Sequence, residues 1–378
     1  MGYTSSWDDE SMENSVKIIG LTGNIATGKS IIRRMLANSG ALGLDADVIA
    51  HRTLYHGGLA YQGVLNLFGD SVLSAGGQIN RQSLGNIVFS DSKKLQKLES
   101  VVHPAVEASI HARIQTCACP VVVIEAIKLL ESGLSAICDS IWVSHASTKT
   151  QVSRLTHERD MTWTNAQSRI AAQPPQLEKL NHADVVINTE GSFRATWRQI
   201  QDALGDTIKS GLFTGSLHFN NQNCTDAQTF IDALSGFWKT ATPAISTNLY
   251  HALGASMLLP ICDSDQIIAL TQWKEHNFTA ALQNVLTGIE KVSNVESLSP
   301  LERHARLQQC EILILSQGFA AGLQPSPSLW GYRQMNLENL TYPAWQEAAR
   351  QYGASQTDPV WIKVLAEPFE KERKETQL

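Results

Sequence analysis

The stretch TGNIATGKS, Thr22 to Ser30, decides how the rest of the chain is read. A glycine, four variable residues and Gly-Lys-Ser make the pattern G-x-x-x-x-G-K-[ST], whose backbone N–H groups cradle phosphates when the loop joins a strand to a helix. Chance alone yields the pattern in about one chain in a hundred of this length, so its flanks carry the decision. Before it runs VKIIGL, a continuous apolar segment that reads as a buried strand, and after it KSIIRRMLANSG reads as a helix opening at the lysine. In that setting Gly23 and Gly28 allow the tight wrap, Lys29 reaches toward the β and γ phosphates, and the Ser30 hydroxyl meets Mg2+. The whole loop, Gly23, Asn24, Ile25, Ala26, Thr27, Gly28, Lys29 and Ser30, is read as nucleotide-binding.

Working outward, further apolar runs stand at ALGLD (41–45), PVVVIEAI (120–127), DSIWVSH (139–145) and ADVVIN (183–188), with helical patterns between them. Strands that alternate with helices require crossovers, and crossovers give a parallel sheet covered on both faces. The expected fold is therefore α/β: a P-loop parallel sheet with helices on both faces and a helical insert, followed by a second α+β domain. A helix over SFRATWRQIQDALGDTIKSG closes the first unit. The predicted boundaries are a leader at 1–15, the P-loop domain at 16–209, a linker at 210–224 and the second domain at 225–378.

The second strand runs into GLDADVIA and places Asp45 and Asp47 at the carboxyl end of the sheet, where open α/β folds bind ligands. A carboxylate there can take a proton from an attacking hydroxyl; either Asp can instead cap the helix that follows. Farther on, QVSRLTHERDMTW sets Arg154 and Arg159 on a helical segment ending in a turn. Such arginines offset charge on a transferring phosphoryl group, or else pair with Glu158 and Asp160 on a solvated face.

Composition bounds the partners. The chain has 378 residues, 43% of them hydrophobic, and a net charge of −6, so it can bury a full core and carries no general pull toward nucleic acid or anionic lipid. With an acidic N-terminus and no run of 18 apolar residues, a cytoplasmic protein acting on small molecules is expected. MGYTSS fits a loose N-myristoylation pattern and is read as part of a flexible leader. The six cysteines are scattered, without a C-x-x-C pair, and are expected to be free and mostly buried thiols.

The motifs TGNIATGKS, LDADVIAH, KLESVVHPAV, LLESGL, RLTHERDMT and QSRIAAQPPQLEKLNHADVVIN, in this order over residues 16–208, resemble dephospho-coenzyme A kinase. The resemblance implies phosphorylation of the ribose 3′-hydroxyl of dephospho-coenzyme A by ATP with Mg2+, the last step of coenzyme A synthesis. It implies Asp47 as general base, Asp45 beside it near the metal, His103 in the acceptor-binding insert, and Arg154 and Arg159 as lid arginines. The competing reading is a P-loop regulator that binds nucleotide to control the second half. Asn24, Ala26 and Thr27 depart from the family's usual small residues, and Lys128 stands where the family has an apolar residue, either binding substrate or facing solvent.

The second half offers strands at ASMLLPI (255–261), IIALTQW (267–273), CEILILS (310–316) and VWIKVLA (360–366), and helices over DAQTFIDALSGFWK and YPAWQEAARQYG. Its closing segment is faintly similar to GNAT-type acyltransferases but shows no [RQ]-x-x-G-x-[GA] phosphate loop. Three readings stand: a degenerate fold that docks coenzyme A, an acyltransferase with an altered loop, or a structural module that self-associates.

Overall fold

The computed structural model describes residues 16–38, 40–213, 257–263, 266–276, 278–286, 299–315, 320–321, 323, 326–340, 342–355 and 358–368. The expected leader, the linker beyond Phe213, the helix over DAQTFIDALSGFWK and Trp238 lie outside the described residues.

Strands β1 (Lys17–Thr22), β2 (Leu42–Asp45), β3 (Val121–Glu125), β4 (Ser140–His145) and β5 (Val185–Asn188) form one sheet in the order β2-β3-β1-β4-β5. All four pairings are parallel. Each coincides with an apolar run, as expected of strands buried on both faces. Register brings Leu21 and Asp45 level with Glu125, so three strands end on one line at the carboxyl edge of the sheet. The loop after β1 leaves from that edge.

Helices α1 (Lys29–Asn38) and α9 (Phe193–Phe213) pack together against one face of the sheet. Against the other lie α2 (Ala46–Thr53) and α5 (Ser92–Gln115), whose Ile49, Val106 and Ile110 share a core with Leu42, Leu44, Val122 and Ile124. The Asp91 carboxylate caps α5 by accepting the N–H groups of Lys93 and Lys94, and the helix runs on through Pro104. Between α2 and α5, helices α3 (Tyr61–Phe68) and α4 (Arg81–Phe89) close over a core of Val64, Val72, Ile79, Leu84 and Val88, the expected helical insert. Helices α6 (Thr148–Glu158), α7 (Trp163–Ala171) and α8 (Gln176–Leu180) connect β4 to β5.

One sequence expectation is corrected. Cys117 and Cys119 are not free: they form a disulfide across two residues, in the turn where α5 gives way to β3 and their Cα atoms lie 5.4 Å apart. Cys138 carries a free thiol and Cys310 is buried outside any disulfide.

The second half builds a mixed sheet from β6 (Met257–Asp263), β7 (Gln266–His276), β8 (Thr279–Leu286), β9 (Ile312–Leu315), β10 (Arg333–Met335) and β11 (Val360–Val364), in the order β10-β11-β9-β8-β7-β6. Its one parallel pairing joins β8 to β9, and the crossover between them includes α10 (Ser299–Leu307). Helix α11 (Pro343–Gln351) covers one face through Ala344, Trp345, Ala348 and Ala349. Strands β8 and β10 were not read from the sequence; the first is polar-punctuated, TAALQNVL, and the second has only three residues.

Candidate active site

The loop from Gly23 to Gly28 wraps as its glycines demand. Gly23 has φ 147° and Gly28 φ 94°, and a Cβ at Gly23 would stand 2.4 Å from Ser144 Oγ. No other residue fits there without displacing β4. Thr27 is fully buried, its hydroxyl 2.8 Å from Asn24 O and 2.6 Å from Ser144 Oγ, so it stitches the loop to β4. Lys29 is 8% exposed and folds back, its Nζ donating to Gly23 O at 3.1 Å and Asn24 O at 3.2 Å. Burial holds its pKa below the usual lysine value, opposed by Glu125, Asp47 and Asp45. An arriving polyphosphate would find this ammonium already aimed across the loop.

A second segment closes over the same loop. Gln173 Oε1 accepts the Ile25 N–H at 2.7 Å, Gln176 Oε1 accepts the Asn24 N–H at 3.3 Å, and Asn24 Nδ2 donates to Pro174 O at 2.9 Å. Asn24, one of the family departures, is thus the residue that fastens the QPPQ turn. Arg154 reaches the loop from α6: its guanidinium donates to Ala26 O at 2.9 Å, to Thr189 Oγ1 at 3.0 Å and to Thr189 O at 2.5 Å. Arg159 instead terminates α6 and is exposed. The structure therefore brings Arg154, and not Arg159, onto the P-loop.

The acceptor side is built at the ends of β2 and β3. Asp45 is the N-cap of α2 and accepts the N–H groups of Asp47 and Val48, each at 3.1 Å. That settles which aspartate caps. Asp47, in the first turn, keeps surface open to solvent and accepts the Ile127 N–H. Crowding by protein raises the Asp47 pKa, and Lys29 opposes the rise. Burial pushes Asp45 up to about 6, reinforced by the negative Glu125. Burial alone would raise Glu125 as well, but Arg33, Lys29 and hydrogen bonds from Arg33 and Ser30 outweigh it and hold the carboxyl below its ordinary range.

Glu125 went unremarked in the sequence, although its place at the end of an apolar run beside the P-loop was a signal. It accepts from Ser30 Oγ at 2.8 Å and from Arg33 Nε at 2.8 Å. Arg33 also lies 3.9 Å from Asp45. Lys179 was equally missed. It is 4% exposed on α8, and its Nζ donates to Ile127 O at 2.5 Å, the carbonyl of the residue whose N–H bonds Asp47. Both Lys29 and Lys179 act to lower the Asp47 pKa.

One expected site residue lies apart from this cluster. His103 sits half-buried midway along α5, outside the P-loop network. Lys128 pairs with Glu99 at 2.7 Å while more than half exposed, which favours the solvent-facing reading. No described helix is long and apolar enough to cross a membrane.

A parallel sheet ending in a P-loop, a lysine folded over it, an arginine on the following helical layer and a carboxylate across the cleft define a P-loop phosphotransferase for a small hydroxyl acceptor. Comparison with known proteins makes the class specific. The family model for dephospho-CoA kinase matches residues 17–195. The chain is 38% identical over 191 residues to the dephospho-CoA kinase of Symbiobacterium thermophilum, covering 50% of this chain and 80% of that one. It is 40% identical over 186 residues to that of Carboxydothermus hydrogenoformans, covering 48% and 90%. Among solved structures, TT1252 from Thermus thermophilus is similar at 29% identity and TM-score 0.45, over 50% of this chain and 96% of that one. The chain belongs to the dephospho-CoA kinase family.

Proposed function

We propose that the P-loop cleft transfers the γ-phosphoryl group of ATP to the ribose 3′-hydroxyl of dephospho-coenzyme A, with Asp47 as the base. The single observation that supports this assignment is that Asp45 caps α2 while Asp47 stands free of the cap, close enough to Lys29 for that ammonium to hold its pKa down. In the reaction the 3′-hydroxyl attacks the γ phosphorus, its proton passes to the Asp47 carboxylate, and ADP leaves with the electron pair of the broken bond. Lys29 swings from the carbonyls of Gly23 and Asn24 to the β and γ oxygens. Gly23 through Ser30 supply backbone N–H groups to the phosphates. We assign Arg154 to neutralising charge beside Ala26, Arg159 to closing over ATP from the end of α6, and His103 and Asp45 to contacting the acceptor.

Magnesium suits the donor set, because Ser30 Oγ and the carboxylates of Glu125 and Asp45 are hard oxygen ligands at the phosphate end of the cleft. When bound with ATP it would offset the negative charge of the phosphates. The residues named need no other cofactor.

The alternative, a nucleotide-binding regulator, has no use for an acceptor base or for the insert. A coupled ADP-release assay on the full chain separates them. Dephospho-coenzyme A should stimulate ADP formation at least about a hundredfold over ATP alone; equal rates with and without it would refute the kinase assignment.

A further inference from the structure

The second domain is fastened to the acceptor side of the kinase cleft by buried polar groups. Strand β2 is the edge of the first sheet, so its outer peptide groups need partners from elsewhere. The fully buried side chain of Gln308, just past α10, supplies both: its Nε2 donates to Ala41 O at 2.8 Å and its Oε1 accepts the Gly43 N–H at 3.2 Å. One side-chain amide thus stands where the next strand would be. Gly43 is two residues before Asp45 and four before Asp47.

Three residues on, Glu311 immediately precedes β9 and is also fully buried. Its carboxylate pairs with Arg52, in the last turn of α2, lies 3.7 Å from Arg113 on α5, and accepts the Trp345 indole N–H at 2.8 Å. Both guanidinium groups are fully buried, and the Phe278 ring lies 3.6 Å from Arg113 Cζ and 5.2 Å from Arg52 Cζ. Phe278 itself belongs to the core that packs α2 and α5 on the first sheet. Gln309 adds a bond from its Nε2 to Arg113 O at 2.7 Å. The acceptor base therefore rides on an eight-residue helix held at its far end by the other domain. A helix that short has little stability of its own and takes its place from what it packs against.

We propose that Gln308 and Glu311 are positioning residues for phosphoryl transfer: through β2 and α2 the second domain sets where Asp47 stands, so it is a working part of the kinase. The matched half already spans 90% of the Carboxydothermus relative, so this support is additional to that protein's matched fold. The kinetic arm of the inference rests on the kinase assignment; the exchange arm does not.

The test uses the full chain carrying Gln308→Met, which keeps the volume and removes both bonds, and separately Trp345→Phe, which removes one bond to Glu311 and is the milder fold risk. Hydrogen–deuterium exchange is read on residues 42–53 and, as internal control, on 24–36. Exchange in 42–53 should rise about tenfold in Gln308→Met, with 24–36 within about twofold. kcat/KM for dephospho-coenzyme A should fall about tenfold while the KM for ATP moves less than about twofold, since a displacement under 1 Å at the base is enough. Unchanged exchange in 42–53, or an equal rise in both segments, overturns the inference. So does a KM for ATP that also rises about tenfold, which marks general destabilisation. A wild-type chain that ignores dephospho-coenzyme A would sink the kinase assignment and leave the exchange result to decide this one.

Discussion

Asp45 offers a perturbation whose sign and size follow from the site. Its pKa in the folded protein is raised from 3.8 to about 6, first by burial and then by Glu125, its register partner on β3. A raised carboxylate pKa means the folded state holds the proton more tightly than the unfolded chain. Stability is therefore greatest below the unfolded value and falls as pH rises through the folded one. At pH 8 the ionised Asp45 costs the fold about 3 kcal/mol, taking about 1.4 kcal/mol for each tenfold change in proton affinity. At pH 5 the same arithmetic gives about half as much, because the folded group is then largely protonated.

Asparagine at this position keeps the cap, since Asn and Asp cap helices equally well, and removes the charge. Asp45→Asn should raise the Tm of the full chain at pH 8, in EDTA and without nucleotide, by about 3–8 °C, less than the roughly 6–12 °C that the full ~3 kcal/mol gives at the usual 2–4 °C per kcal/mol for a domain of this size. The range allows for Glu125 and Arg33 readjusting once the charge is gone. The advantage should about halve at pH 5. A variant less stable than wild type at pH 8, or one whose advantage is the same at both pH values, would refute the electrostatic reasoning. Greater stability would come with weaker catalysis if Asp45 serves the acceptor and the metal, the trade expected of a site that stores like charges.

Three other outcomes are expected. Asp47→Asn should lower kcat by about 10²–10⁴, the range for removing a general base; intact turnover there with abolition by Asp45→Asn would reverse the two roles. Lys179→Met removes a charge that holds the Asp47 pKa down, so the acidic limb of the kcat/KM profile should move to higher pH, and the loss of rate should be larger at pH 6 than at pH 8; a uniform loss would reduce Lys179 to a packing residue. Arg154→Ala should raise the KM for ATP about tenfold, by loss of a charge-assisted contact on the P-loop, whereas Arg159→Ala should spare KM and lower kcat; steady-state kinetics with varied ATP distinguishes the two.

The first sheet was legible because its strands are continuous apolar runs and parallel strands buried on both faces have no other pattern to show. The P-loop was legible because its geometry admits so few residues: Gly23 and Gly28 carry φ of 147° and 94°. The pairing of roles at Asp45 and Asp47 was not, since either could cap, and only the two N–H bonds to Asp45 decide it. Lys179 was hidden for a different reason. In QLEKL it has the spacing of a solvated helix face, and its burial depends on Ile127, a residue 52 positions away.

The contact between the halves shows the limit most sharply. Glu311 stands in CEILILS, where a lone acid at the start of a buried strand reads as a strand end facing water, and its principal partner Arg52 lies 259 positions earlier. Nothing local marks either residue. Yet a fully buried carboxylate is unfavourable unless paired, and two fully buried guanidinium groups are worse. Neither half can keep its share of these charges dry without the other, so each half's sequence carries a cost that makes sense only in the assembled chain. A module with no bearing on the kinase site would have no reason to bury Glu311 against α2 and α5, whereas one that supports the acceptor side would.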